Sequence, residues 1–404
     1  MATAESAPDR STNRWVLFLV FLRLGLTSFG GPIAHLGFFR EEFVRRRRWL
    51  DEAGYADLVA LCQFLPGPAS SQVGMAIGLL RGGVTGALVA WAGFTLPSAI
   101  ALTLFGLGVA NWGDAMPNGV LHGLKIVAVA IVAQAVWGMA RSLCTDWLRI
   151  AIAVLTAGLM LLFSGAWLQL GVIVLAGVLG RVWIVSTPVQ PGGSLAVVVS
   201  RTTALGLLAI FLGLLVALPL LASASSNQAL EMLDTFYRAG SLVFGGGHVV
   251  LPLLQAEVVP AGWVSNDHFL AGYGAAQAVP GPLFTFAAFL GATAQGAPSG
   301  LSGAALCLVA IFAPSFLLVC GVLPFWEGLR ENRSMRAALA GINAAVVGLL
   351  LAALYDPVWT HAIFGITDLA LALLALAALM YWKLPPWLVV AFGGAAGWAL
   401  GLAG

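Results

Sequence analysis

Apolar positions run in long unbroken stretches, without the strict alternation of a half-buried strand or the narrow stripe of a surface helix. The stretches fall at about 15–36, 56–79, 84–109, 118–140, 149–163, 166–183, 203–222, 233–254, 268–292, 302–324, 337–355, 361–382 and 386–403. Most approach the ~20 residues with which a helix crosses a bilayer. The pattern predicts an all-α polytopic membrane protein with about thirteen apolar segments. A composition break near 185–200, with Ser186-Thr187-Pro188 and Pro191-Gly192-Gly193, reads as a linker.

The chain repeats internally. Arg23-Leu-Gly-Leu-Thr-Ser-Phe-Gly30-Gly31 matches Arg238-Ala-Gly-Ser-Leu-Val-Phe-Gly245-Gly246 at five of nine positions, offset by 215. At an offset of 214, Trp49 matches Trp263, Gln63 matches Gln277, and Pro66-Gly67-Pro68 matches Pro280-Gly281-Pro282. Pro97-Ser98 then meets Pro314-Ser315 at 217. Six segments on either side of one extra segment, 203–222, insert the second half upside down, an arrangement common among transporters. The expected organisation is a cytoplasmic tail at 1–14, a first repeat at 15–183, a linker with a connecting transmembrane helix at 184–222, and a second, inverted repeat at 223–404.

Charge placement orients this arrangement. With the N-terminus in the cytoplasm, the loops carrying Arg81, Arg141, Arg149, Arg181, Arg201, Arg330, Arg333, Arg336 and Lys383 all fall inside, as positive-inside topology requires. Arg40 and Arg45 to Arg48 decide one further point. They are internal only if the first two segments turn back as hairpins at Gly30-Gly31-Pro32 and Pro66-Gly67-Pro68. Sixteen of the nineteen Lys and Arg then lie inside, which favours re-entrant, broken helices and an external C-terminus.

Composition narrows the function. Of 404 residues, 60% are hydrophobic and 9% charged, against ~25% charged in soluble proteins. A cytosolic or secreted protein is excluded. The net charge of +2 points to no nucleic-acid partner. The four cysteines are scattered, and the five histidines lack metal-ligand spacing, so no metal or other cofactor is expected. No Walker A motif appears, and no acid–base–nucleophile constellation suited to an intramembrane enzyme lies within the apolar segments.

Three cations remain inside apolar segments: Arg23, Lys125 and Arg238. Such a charge costs ~2.5–3.5 kcal/mol on the mildest scale and usually faces a cavity or a partner. Snorkelling is the plainer reading for Arg23 and Lys125; for Arg238 it is an ion pair with Asp234 one turn earlier. Non-helical backbone at mid-membrane is tolerated only where it is buried or lines a cavity. A broken helix offers free N–H groups and a positive dipole end to an anion. Ser70 and Ser71 follow Pro68, and Thr285 aligns with Ser71, adding hydroxyl donors. The expected substrate site therefore comprises Arg23, Gly30, Gly31, Gln63, Pro66, Gly67, Pro68, Ser70, Ser71, Lys125, Arg238, Gly245, Gly246, Gln277, Pro280, Gly281, Pro282 and Thr285. It reads as cation-rich and acid-poor, suited to a tetrahedral oxyanion. Asp368 reads as a helix cap.

The runs Phe29-Gly30-Gly31-Pro32, Trp49-Leu50 and Gln63-Phe64-Leu65-Pro66-Gly67-Pro68, with their second-half counterparts, resemble the chromate ion transporter family, long-chain two-domain type. The resemblance spans about 15–140 and 230–355. It implies a multi-pass inner-membrane protein that exports chromate and confers resistance to it. Sulfate or another oxyanion, taken up or exchanged, is the alternative cargo. Expected partners are the oxyanion and the lipid bilayer, with a homodimer as an open assembly state.

Overall fold

The computed structural model describes residues 12–112, 118–163, 165–185 and 199–401. The N-terminal tail up to residue 11, the linker turns at 186–198 and the last three residues lie outside the described residues. All regular structure among the described residues is helical. In the first half, α1 is Arg14–Thr27, α2 Gly31–Arg40, α3 Glu52–Phe64, α4 Ala69–Trp112, α5 Asn118–Leu143, α6 Trp147–Leu162 and α7 Ala166–Trp183. The connecting helix α8 is Arg201–Ala224. In the second half, α9 is Gln228–Leu242, α10 Val250–Val258, α11 Asn266–Ala276, α12 Phe286–Thr293, α13 Gly300–Val322, α14 Trp326–Glu331, α15 Arg333–Ala353, α16 Ile366–Met380 and α17 Pro386–Gly401.

The first segment is two short helices. α1 has 14 residues and α2 has 10, about 21 and 15 Å at 1.5 Å per residue, so neither reaches across ~30 Å of hydrocarbon. They form a hairpin, because their outer ends meet. The Thr12 N–H donates to the Arg81 carbonyl (3.2 Å) just before α1. Just after α2, the Arg81 guanidinium sits 5.1 Å from the centre of the Trp49 ring. The second segment starts from the same end at Asp51 and returns to it at Arg81. There α4 turns at Gly82 and Gly83, the latter at φ +64°. Gly78 and Gly86 touch across this turn, with no room for a Cβ on either. The Arg45 to Arg48 cluster thus shares an end with the start of α1, as the charge pattern requires.

The second half repeats the device. Gln228, at the start of α9, donates its side-chain amide to the Gln295 carbonyl, and the Gln295 N–H donates to Trp263, the repeat mate of Trp49 (2.8 Å). All four outer ends of this hairpin pair therefore gather at one place. Gly291 and Gly303 touch as Gly78 and Gly86 do. The thirteen apolar segments resolve into four re-entrant hairpins and nine further helices or helix limbs. Among the described residues, five helices are long and apolar enough to cross a membrane.

The two repeats interlock. α5 packs on α16 and α17 of the other half, and α15 packs on α6 and α7. Small residues permit the approach: Gly119 and Gly123 lie against Gly397 and Gly393, and Gly180 lies against Gly341, as in close helix pairs of other membrane proteins. Asp57, at the base of the second hairpin, accepts from Arg330 (2.8 Å) and from the Trp326 indole (3.1 Å), joining the ends of the two halves.

The architecture predicts that Arg46 and Arg333 share one side of the membrane. Single cysteines placed there in a cysteine-free background should both resist impermeant thiol reagents added outside whole cells. Labelling of position 46 with protection of 333 would overturn the hairpin arrangement.

Candidate functional site

Each hairpin tip is a glycine-containing break, three of the four with proline as well, and a helix ending in mid-membrane leaves backbone groups without intrahelical partners. Two reciprocal hydrogen bonds satisfy part of this need. The Gly67 N–H donates to the Val243 carbonyl (2.7 Å), and the Gly281 N–H donates to the Ser28 carbonyl (2.9 Å). Val243 and Ser28 are repeat mates, as are Gly67 and Gly281. The second break of each repeat is thus fastened to the first break of the other, and all four tips converge on one crossing.

Side chains continue the pseudo-symmetry. A Cβ on Gly67 would lie 2.5 Å from Ser315 Oγ and 2.6 Å from Gln72 Nε2; one on Gly281 would lie 2.9 Å from Ser98 Oγ. Gly67 and Gly281 have φ of +120° and +92°, conformations that exclude most side chains. Gln72 Nε2 donates to the Pro66 carbonyl (2.6 Å) and clamps the Pro-Gly-Pro turn. His35, buried on α2, donates from Nε2 to the Ser28 carbonyl (3.1 Å). Its Nδ1 lies 3.2 Å from Ser70 Oγ and accepts in the corresponding tautomer. His248 Nδ1 meets the Tyr273 hydroxyl at 2.7 Å.

Several buried polar atoms along these breaks and the helices beside them have no partner: Ser28 Oγ, Ser71 Oγ, Thr95 Oγ1, Ser315 Oγ and Gln277 Nε2. Buried polar groups are normally paired, and these five exceptions lie along the breaks and the helices beside them. Gln277 joins Gly30, Gly31, Pro32, His248 and Gly281 in lining a small cleft between the first break of one repeat and the second break of the other. At the opposite first break, Met139, Leu143 and Asn343 come within 3.4 Å of a Cβ position on Gly245. The crossing is therefore asymmetric, with one first break lining a cleft and the other packed against α5 and α15.

The expected residues divide. The breaks bring together Gly30, Gly31, Pro66, Gly67, Pro68, Ser70, Ser71, Gln277, Pro280, Gly281, Pro282 and Thr285 from three of the four tips. Thr285 spends its hydroxyl on the Pro282 carbonyl (2.7 Å). Gly245 and Gly246 form the packed first break, and Gln63 is exposed. The three cations do not converge. Arg238 is held by Asp234 (2.7 Å) and by Glu257. Lys125 reaches Asp267 (2.8 Å) at the base of α11, ten residues before Gln277. Arg23 is exposed on α1 and makes no ion pair among the described residues. The expectation of a cation-rich, acid-poor centre is thereby corrected: Glu257 and Asp267, polar residues outside the apolar runs, fold back against cations within them. Asp368 caps α16 by accepting from Phe364 (2.9 Å) and Gly365 (3.2 Å), and it also meets His122 at 2.9 Å.

Sequence reasoning did not single out Ser28, His35, Gln72, Thr95, His248 or Tyr273. For Ser98 and Ser315 a signal existed, since their Pro-Ser pairs repeat in register. His35 has no counterpart at the repeat offset, where Val250 stands.

The model of the family described as chromate transporter matches residues 15–181 and 230–398. The Chromate transport protein of Pseudomonas aeruginosa is 30% identical, over 98% of this chain and 94% of its own length. The Chromate transport protein of Cupriavidus metallidurans is 27% identical over 93% and 88%. The Probable chromate transport protein of Synechococcus elongatus is 27% identical over 82% and 81%. No solved structure matches the chain.

The packing around Gly67 yields a double-mutant test. Gly67→Ala should destabilise the protein by about 1–3 kcal/mol, as overpacking does, read as a lower midpoint of thermal unfolding in detergent. Adding Ser315→Ala should restore part of the loss, and Ser98→Ala should do the same for Gly281→Ala. Strict additivity in both cycles would show that these serines do not touch the glycines.

Proposed function

The chain belongs to the chromate transporter family, and we propose that it is a secondary active transporter exporting chromate across the inner membrane. The observation that carries this reading is the crossing of four helix breaks with buried, unpartnered hydroxyl and amide donors. α2, α4, the helical turn leading to α10 and the turn leading to α12 all begin at the crossing, so four positive dipole ends point to it. These ends favour an anion. A tetrahedral oxyanion has four acceptor corners, and hydroxyls that hold no protein partner can rotate to meet them.

In this reading Ser28, Ser71, Thr95, Ser315 and Gln277 contact the cargo, while Gln72, His35 and the Gly67 and Gly281 N–H groups hold the breaks in shape. Inverted repeats exchange their roles when one face closes and the other opens. The cleft beside Gly30 and the packed contact beside Gly245 supply such a pair of unequal halves. Sulfate has chromate's charge and shape, so the same cradle would accept it, and the relatives' names favour chromate.

Radiolabelled chromate should leave loaded proteoliposomes faster with the protein than without it, and external sulfate should compete in exchange. Sulfate flux without chromate flux would replace the cargo. Ser71→Ala and Ser315→Ala should each raise the apparent KM about 2- to 13-fold, the equivalent of a hydrogen bond contributing ~0.5–1.5 kcal/mol. Folded yield should stay at the wild-type level, because neither hydroxyl holds the fold. An unchanged KM in both variants would remove these serines from the site.

A further inference from the structure

A second cluster of buried polar groups lies away from the crossing, between α7, α9 and α10. Arg238 on α9 bonds Asp234 one turn earlier on the same helix and Glu257 near the end of α10. All three are largely buried. Two carboxylates on one guanidinium leave a net negative charge beside the apolar segment that carries Asp234 and Arg238, with Glu257 reaching in from just beyond its end, and net charge is costly where burial limits solvation. Arg238, Glu257 and Thr235 line a narrow cleft with Gln169 of α7. Gln169 is 9% exposed, and its Oε1 has no partner; neither has Arg238 Nε.

We propose that this cluster binds the proton whose movement is coupled to oxyanion transport, an assignment that rests on the transporter reading above. A proton added to a carboxylate oxygen of Glu257 or Asp234 leaves one neutral carboxylic acid and one balanced carboxylate–guanidinium pair. The new O–H is a donor, and Gln169 Oε1 is an unpartnered acceptor in the same cleft. The guanidinium repels a metal cation and the excess carboxylate repels an anion, so the proton is the ligand that this charge count admits.

Ionisable groups on neighbouring elements are engaged or distant. Asp267 of α11 holds Lys125, and Tyr237 of α9 donates to the Phe211 carbonyl of α8. On α15, Arg333 and Arg336 lie in the first turn, next to α14, whose Arg330 holds Asp57. The first repeat shows that the fold does not require the cluster. At the same offset of 215, Leu19 replaces Asp234. Glu42 replaces Glu257 but turns to Arg46 and Arg47 (2.7 Å each), leaving Arg23 without an acidic partner among the described residues. The cluster is also mechanically connected to the crossing, since α9 carries Arg238 and ends just before Val243, whose carbonyl holds Gly67.

Glu257→Gln and Asp234→Asn proteins in proteoliposomes test this. For the wild type, net chromate flux should respond to an imposed pH gradient and produce a proton signal from entrapped pyranine. In Glu257→Gln the ratio of chromate exchange to proton-driven net flux should rise about tenfold or more, a typical size for a coupling, and the proton signal should vanish. Coupling equal to wild type in both variants would overturn the assignment, as would a parallel fall of exchange and net flux. Infrared difference spectra after a pH jump need no cargo. The wild type should show the carbonyl stretch of a protonated carboxylic acid that one of the two variants lacks; a band unchanged in both would overturn the proton site. If the wild type moves no oxyanion at all, the transporter reading fails, and the infrared band alone decides the proton site.

Discussion

A backbone N–H or C=O in the middle of a membrane has no water to turn to, and four interrupted helices place many such groups there. The reciprocal bonds from Gly67 to Val243 and from Gly281 to Ser28 meet this constraint by tying each repeat to the other. The rest of the molecule follows from that fastening. The hairpins must meet tip to tip, so their bases stay at opposite ends. The long limbs of α4 and α13 must lie beside the tips, which places Ser98 and Ser315 against the two glycines. Helices α5 and α15 close the assembly by packing on the opposite repeat.

The same constraint leaves a chemical remainder. The reciprocal bonds and the Gln72 clamp satisfy the turns, yet hydroxyls of Ser28, Ser71, Thr95 and Ser315 remain buried and unpaired. A fold selected only for packing would fill those positions with Ala or Val at no loss of hydrogen bonding. Their presence beside four positive helix ends is the feature on which the proposed binding role of the crossing rests. The charges, by contrast, are largely resolved among themselves. Lys125 and Arg238 each find carboxylates, and Arg23 alone of the three lacks an acidic partner among the described residues.

Much of this was legible in one dimension because membranes reduce the possibilities. Segment length, the positive-inside pattern and the in-register recurrence of Phe-Gly-Gly and Pro-Gly-Pro sufficed for the inverted repeats, the hairpins and their shared base with Arg45 to Arg48. The paired Pro-Ser motifs pointed to Ser98 and Ser315 before their role had a geometry. His35 escaped because it breaks the repeat symmetry, and Ser28 because a serine one residue before Phe-Gly-Gly aligns with Val243, which contributes only its backbone carbonyl to the crossing.

What the sequence by itself determined is therefore the number of apolar segments, their interruption at four tips, the inversion of the halves and the residue types available at mid-membrane. Those depend on local composition and on the bilayer's fixed thickness. Only the tertiary structure decided which group meets which. Arg238 reaches Glu257 across 19 positions, Lys125 reaches Asp267 across 142, and Arg330 reaches Asp57 across 273. A charge's partner is set by which helices pack together, and that packing is chosen by glycine contacts spread over the whole chain. So a centre that reads as cation-rich in sequence becomes, once folded, a neutral crossing of unpaired donors with a separate acidic cluster at its flank.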